Sequence, residues 1–183
     1  MPLRDAIRAR RSERAFSPRR FHLGDPDDLQ LLSDLLWASW GFITSRRRSA
    51  PSSHNWQCID LYLLLPEGVY LYDAAENRLV WQSGEDLRAV SGEQEYPATA
   101  PLNMVLVAEK SKISGKTPQG VIESIFSDSG FICQNIYLFC AAEGLATVTR
   151  AWLDRDALAA RLHLSPTQHI TLVQTIGWKP EEK

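Results

Sequence analysis

A chain of 183 residues, 44% hydrophobic and 23% charged, is long enough to bury a core without disulfides or metals. Its formal net charge of −2 excludes a global field that draws it to polyanions, yet residues 1–48 hold ten arginines against six acids, so positive charge is concentrated at the front. Three cysteines (Cys58, Cys133 and Cys140) are too few and too irregularly spaced for a disulfide framework or a zinc site, and read as small buried hydrophobes. With no apolar run of signal-peptide or membrane-span length, the reading is one cytoplasmic domain over residues 1–183.

Residues 2–11 predict a short helix with Leu3 and Ile7 on one face. Asp25 predicts an N-cap, Pro26 suits the first helical position, and Asp27 and Asp28 favour the positive end of the dipole. That helix carries Leu29, Leu32, Leu36 and Trp40 at helical spacing and stops at Gly41. Residues 44–57, TSRRRSAPSSHNWQ, are polar and broken by Pro51, which predicts a loop. Residues 58–82 predict a three-strand meander with turns at Pro66–Gly68 and Ala74–Asn77. A short helix is expected at 84–92 and a buried strand at 103–110. A long helix starts after Thr117–Pro118 and ends at Gly144. Its apolar stripe (Val121, Ile125, Ile132, Ile136, Phe139, Cys140) is broad enough for burial on more than one side. A strand at 145–152, a helix N-capped by Asp154 and a strand at 169–178 complete the chain. Helix, meander and then alternating elements argue for α+β rather than a doubly wound fold.

Three polar clusters carry candidate chemistry. The first is RARRSERAF, Arg8–Phe16. Ser12 sits among its arginines and apolar Ala15–Phe16 follows at once, so the segment can pack instead of fraying. Guanidinium forks with a hydroxyl suit a phosphate monoester. Nucleic acid would require a wider basic face with interleaved aromatics, which the acidic remainder does not supply. The second cluster, PSSHNWQ at 51–57, reads by itself as a capped turn whose serines and Asn55 bond the backbone. The third, SDSGFICQN at 127–135, places Gln134 and Asn135 in the long helix, where buried amides need partners and inter-helix hydrogen bonds are expected. SGKT at 114–117 looks like the back half of a phosphate loop, but Lys110 stands where the front glycine is required. A dinucleotide G-x-G fingerprint, a G-x-S-x-G motif and paired metal-binding histidines are all missing.

These clusters, in this order, resemble the nitroreductase-like flavin enzymes over about residues 3–180, the short members in particular. The opening R-[RH]-S-x-[RK]-x-[FY] motif stands as Arg10-Arg11-Ser12-Glu13-Arg14-Ala15-Phe16. The P-S-x-x-N-x-Q loop stands as Pro51-Ser52-Ser53-His54-Asn55-Trp56-Gln57. The helical G-x-x-x-Q-N-x-x-L pattern followed by G-L is Gly130, Gln134-Asn135, Leu138 and Gly144-Leu145. Ile176-Gly177-Trp178-Lys179-Pro180 matches the closing strand. The resemblance implies a three-layer α+β sandwich with a mixed, mostly antiparallel sheet, a long central helix and an intertwined homodimer holding FMN at the subunit interface. It places Arg10, Arg11, Ser12 and Arg14 on the phosphate and ribityl end. Pro51, Ser52, Ser53, Asn55 and Gln57 would line the flavin from the other subunit. Val148, Thr149, Arg150 and Ala151 would pass along the ring, with the Ala151 N–H toward flavin N5 and Arg14 or Arg150 near N1 and O2. Lys179 or Lys183 would partly replace the basic residues that longer relatives carry after the last strand. The implied activity is ping-pong reduction of a nitro-aromatic, quinone or similar acceptor by NAD(P)H through flavin N5, which needs no catalytic triad and no metal. A flavin protein of this fold without NAD(P)H turnover, or a flavin dehydrogenase or oxidase on another substrate, is the alternative. Residues 110–120 offer a short cover, readable as a lid or as an ordinary surface loop.

Overall fold

The computed structural model describes residues 1–181. Helix α1 (Leu3–Ala9) buries Ala6 and leaves Leu3 and Ile7 exposed. Helix α2 (Pro26–Trp40) begins as the sequence predicts: the Asp25 carboxylate accepts the N–H of Asp27 at 2.9 Å and of Asp28 at 3.4 Å. It buries Leu32, Leu35, Leu36 and Trp40, and the Trp40 indole donates to the Ile59 carbonyl at 2.7 Å. The expected loop that follows holds a small hairpin, β1 (Phe42–Thr44) and β2 (Arg47–Arg48), and a single 3-10 turn at Ser53–Asn55. The meander is β3 (Ile59–Leu65), β4 (Gly68–Asp73) and β5 (Arg78–Ser83).

At 84–92, where a helix was expected, the chain makes only a turn at Ala89–Ser91. Local side chains compete for its backbone: the Ser91 hydroxyl donates to the Arg88 carbonyl at 2.7 Å, and Arg88 is drawn to Asp86 and to the Ala100 carbonyl, both at 2.8 Å. Then come α3 (Tyr96–Thr99), β6 (Leu102–Glu109), α4 (Pro118–Ala142), β7 (Leu145–Arg150), α5 (Arg155–Arg161) and β8 (Gln168–Trp178). The Thr117 hydroxyl caps α4 by accepting the Gly120 N–H at 3.1 Å, and Gly144 takes the left-handed conformation (φ 73°) that ends it.

Six strands form one sheet in the order β5-β4-β3-β6-β8-β7. The expected mixed sheet is antiparallel at every pairing among the described residues. The reason is where β8 lands. The β6–α4–β7 crossover leaves β6 and β7 parallel, but β8 inserts between them and runs against both. Strand alternation sends Leu61, Leu63, Met104 and Leu106 into one core under α2 and α4. Tyr62, Leu64, Val105, Val107 and Val173 face a second core closed by Leu153 and Leu158 of the α5 region. Helices therefore cover both faces of the sheet, the three layers expected. On α4, Ile125, Ile132, Ile136 and Cys140 are buried, while Val121 and Phe139 are half-buried. Cys58 and Cys133 are also buried, as small hydrophobes.

Candidate functional site

The arginine-rich segment does not fray. It forms an extended arm laid along the outer edge of β7 and the end of β8. The Glu13 N–H donates to the Thr147 carbonyl and the Ser17 N–H to the Trp178 carbonyl, both at 2.9 Å. Gly177 makes room for the arm, since a Cβ there would lie 2.7 Å from Pro101 and 3.2 Å from the Phe16 ring. Tyr137 of α4 holds the arm from beneath. Its ring lies 5.3 Å from the Arg10 guanidinium, and its hydroxyl is 2.9 Å from Ser12 Oγ and accepts the Thr149 N–H at 2.9 Å. Arg11 turns its fork back onto the carbonyls of Arg8 and Arg10, at 2.8 and 2.9 Å. Arg14 is exposed, and among the described residues no carboxylate pairs with Arg10, Arg11 or Arg14. Lys179 meets Arg11 and Glu13 across a small cleft over Tyr137 and Thr147. Lys183 lies outside the described residues.

The 51–57 loop is tied to the middle of α4. Buried Asp128 accepts the Ser53 N–H at 2.9 and 3.1 Å and its hydroxyl at 2.9 Å. The Ser52 hydroxyl accepts the Gln57 N–H at 2.9 Å. The side-chain amides of Asn55 and Gln57 both donate to the Arg46 carbonyl, at 3.0 and 2.9 Å, and Arg48 donates to Gln57 at 3.1 Å. Arg48 lies on the Phe42 ring at 3.8 Å. Burial lowers its pKa, an effect that neighbouring Tyr72 and Asp60 oppose. His54, Asn55 and Gln57 all adopt positive φ (48°, 55° and 50°), a conformation that costs non-glycine residues about 1 kcal/mol or more each and is kept only where the surroundings over-determine it. Pro51 is exposed and Ser52 half-buried. Asn135 makes the expected inter-helix bond, to the Ala38 carbonyl of α2 at 3.0 Å, and a second to the Ser49 carbonyl just after β2 at 3.3 Å, whereas Gln134 is exposed.

Of the residues expected along the ring, Val148 is buried and Thr149 half-buried on β7, and Ala151, just past the strand's end, is exposed. The Thr149 N–H and Thr147 carbonyl both point off the free edge of the sheet, toward Tyr137 and the arm. Arg150 points inward. Its fork donates to the Ser91 carbonyl (2.7 Å), to Asn103 (3.0 Å) and to Thr175 (2.9 Å). Burial brings its pKa down to about 10, so it remains charged at neutral pH while bonded only to neutral groups. Of the two arginines expected near the flavin's N1 and O2, Arg150 thus braces the chain from within and Arg14 is the exposed one.

Asp128 and Tyr137 anchor the two clusters to one helix, nine residues apart. That is about 14 Å and two and a half turns, so they leave α4 on opposite sides. The arm and the 51–57 loop of one chain therefore flank α4 and do not converge. Sequence reasoning missed both anchors: Tyr137 is one aromatic among apolar residues, and Asp128 lay unremarked within the polar 127–135 run. A groove of about 570 Å³ between α2 and the β4–β5 turn is lined by Leu29, Leu36, Tyr70 and Leu79 among others, and holds no residue of the three clusters. No helix among the described residues is long and apolar enough to cross a membrane.

A three-layer antiparallel α+β sandwich with an arginine arm on its free edge is the build of a nitroreductase-type oxidoreductase. Residues 7–178 match the nitroreductase family, and the chain belongs to it. A Methanocaldococcus jannaschii protein named as a candidate nitroreductase is 25% identical, over 98% of this chain and 92% of its own length. The crystal structure of a candidate nitroreductase from Ralstonia eutropha is similar with a TM-score of 0.90 and 34% identity, over all of this chain and 85% of that one. A candidate NADH oxidase from Clostridium acetobutylicum shares the fold at a TM-score of 0.67 and 20% identity, over 98% and 90% of the two chains.

Proposed function

We propose that this oxidoreductase is an FMN enzyme that draws on NAD(P)H to reduce nitro-aromatic, quinone or similar small acceptors, acting as a homodimer. The observation that carries the reading is the arm, three arginines and a serine on a segment fixed to the sheet edge, with none of those arginines in an ion pair among the described residues. That donor set fits a phosphate monoester dianion. FMN supplies the chemistry when bound: it accepts hydride at N5 and passes electrons on to the acceptor.

The chain's own part is to bind and orient. Arg10, Ser12 and Arg14 would hold the phosphate, with Arg11 and Lys179 adding positive charge beside them. The Ala151 N–H, just past the end of β7, would meet N5, fixing the ring without a competing base. Pro51, Ser52, Ser53, Asn55 and Gln57 would cover the ring from the second protomer. The opposite placement of Asp128 and Tyr137 on α4 supports that division of the site between two chains, since it holds the two clusters of one chain apart.

The test is anaerobic mixing of the FMN-loaded protein with NADH and with NADPH while the flavin absorbance band is followed. Bleaching by at least one nicotinamide, reversed by a quinone or nitro-aromatic, is expected. A protein that takes up no FMN overturns the proposal. Bound FMN that neither nicotinamide bleaches leaves the flavin-binding alternative without turnover.

A further inference from the structure

Tyr137 stands where the phosphate arm, the edge strand and the long helix meet, and its hydroxyl has two neighbours. The Thr149 amide can only donate, so at 2.9 Å the phenol oxygen is an acceptor on that side. On the other side Ser12 Oγ lies 2.9 Å away, and either hydroxyl could donate there. Acidity decides between them. A phenol gives up its proton far more readily than an aliphatic alcohol, so Tyr137 is the better donor and Ser12 the acceptor. The hydrogen of Ser12 is then left over, and among the described residues it meets no further acceptor. The same tyrosine carries the Arg10 guanidinium over its ring at 5.3 Å.

We infer that Tyr137 is a positioning residue for the FMN phosphate: by donating to Ser12 Oγ, it leaves the Ser12 O–H directed outward as a donor to a phosphate oxygen, beside an Arg10 that the same ring supports. This rests on the FMN reading above. The bonds form one directed chain, from the Thr149 N–H to Tyr137, to Ser12, to the anion. Each bond in such a chain polarises the next, and an anion at the end strengthens all of them. The arrangement also couples the phosphate end to β7, because the strand expected along the ring gives its amide to the tyrosine that orients the serine.

Tyr137→Phe removes the hydroxyl and keeps the ring under Arg10. FMN and riboflavin, which lacks the phosphate, are titrated into the flavin-free protein and followed by flavin fluorescence. Tyr137→Phe is expected to weaken FMN about tenfold, the scale of one hydrogen bond to a charged group, while riboflavin changes less than about twofold. Ser12→Ala should show the same FMN loss, and the double variant should be no weaker than Ser12→Ala, since the two residues act through one bond. Unchanged FMN affinity in Tyr137→Phe overturns the inference. So do equal losses for FMN and riboflavin, which mark a merely structural role, and losses that multiply in the double variant. Ser12→Ala leaves the Thr149–Tyr137 bond in place and keeps the test available if the tyrosine variant does not fold: full FMN affinity there also overturns it. A wild-type protein without FMN affinity removes the flavin reading and this inference together. Wild-type binding with an insensitive Tyr137→Phe removes this inference alone.

Discussion

Cys58, Cys133 and Cys140 are buried against the packed side of α4 and the first strand of the main sheet, and burial pushes their thiol pKa values to about 11, 12 and 12. At Cys58 the nearby Asp128 carboxylate adds to the rise. A thiol must become a thiolate to attack, so none of the three is a nucleophile at neutral pH. The consequence for stability has a definite sign. An unfolded thiol ionises near its ordinary pKa of about 8.5, while the native thiols hold their protons well above that. Stability from these groups is therefore fully present below about pH 8.5 and is lost as pH rises toward 11–12, because the unfolded chain then binds fewer protons than the native one. At pH 8 a thiol-specific chromogenic reagent should label none of the three in the native protein and all three in denaturant. The melting temperature should fall progressively above about pH 9. Rapid native labelling would show that the core around α4 is open in solution.

At the scale of elements, periodicity and caps made most of the fold legible. Asp25–Pro26, Thr117–Pro118, Gly144 and Asp154 mark helix ends that the structure places at or within a residue or two of the expected positions, because capping is local chemistry. The failures are where distant partners decide. Segment 84–92 has the composition of a helix, but Arg88 also donates to the Ala100 carbonyl beyond it, and the Ser91 carbonyl is taken by Arg150, 59 positions away. The sheet's direction at β6–β8 depends on where the last strand inserts, which no local pattern encodes. In the site, motif residues could be named while their supports could not. Ser53 is held by a carboxylate 75 positions away, and Ser12 by a hydroxyl 125 away. The 51–57 loop shows what such a support is worth, for its three left-handed residues need an external anchor. Asp128→Ala leaves the Ser53 N–H and hydroxyl without their acceptor and should cost about 2–4 kcal/mol, lowering the melting temperature by roughly 5–15 °C. If the loop covers the flavin, FMN affinity should fall in the same variant even well below its melting point. A melting loss with FMN affinity intact would remove the 51–57 loop from the site.

For the whole molecule, the question is what covers the outer face of α4. Gly130, Gln134 and Leu138 follow one another at intervals of four along it. Gly130 and Gln134 are exposed, and neighbouring Phe131 is 48% exposed. A glycine in mid-helix costs about 1 kcal/mol relative to alanine, and within one chain nothing requires it, since a Cβ on Gly130 would meet no atom within 4 Å. A second backbone passing close to that point, as in the proposed dimer, would account for its absence. A dimer through this face would also bring the 51–57 loop of one protomer toward the arm of the other, which a single chain keeps on opposite sides of α4. Gly130→Arg separates the two roles of the helix. In the isolated chain the new side chain points into open space, so helix content and the melting transition should be retained. In the dimer it occupies the crossing point. Sedimentation at micromolar concentration should show two chains for the wild type and one for the variant, and FMN affinity should fall more than tenfold with the loss of the second protomer's loop. A wild-type protein that sediments as one chain and binds FMN would instead require both clusters to reach one ligand from the same chain, against the geometry of α4.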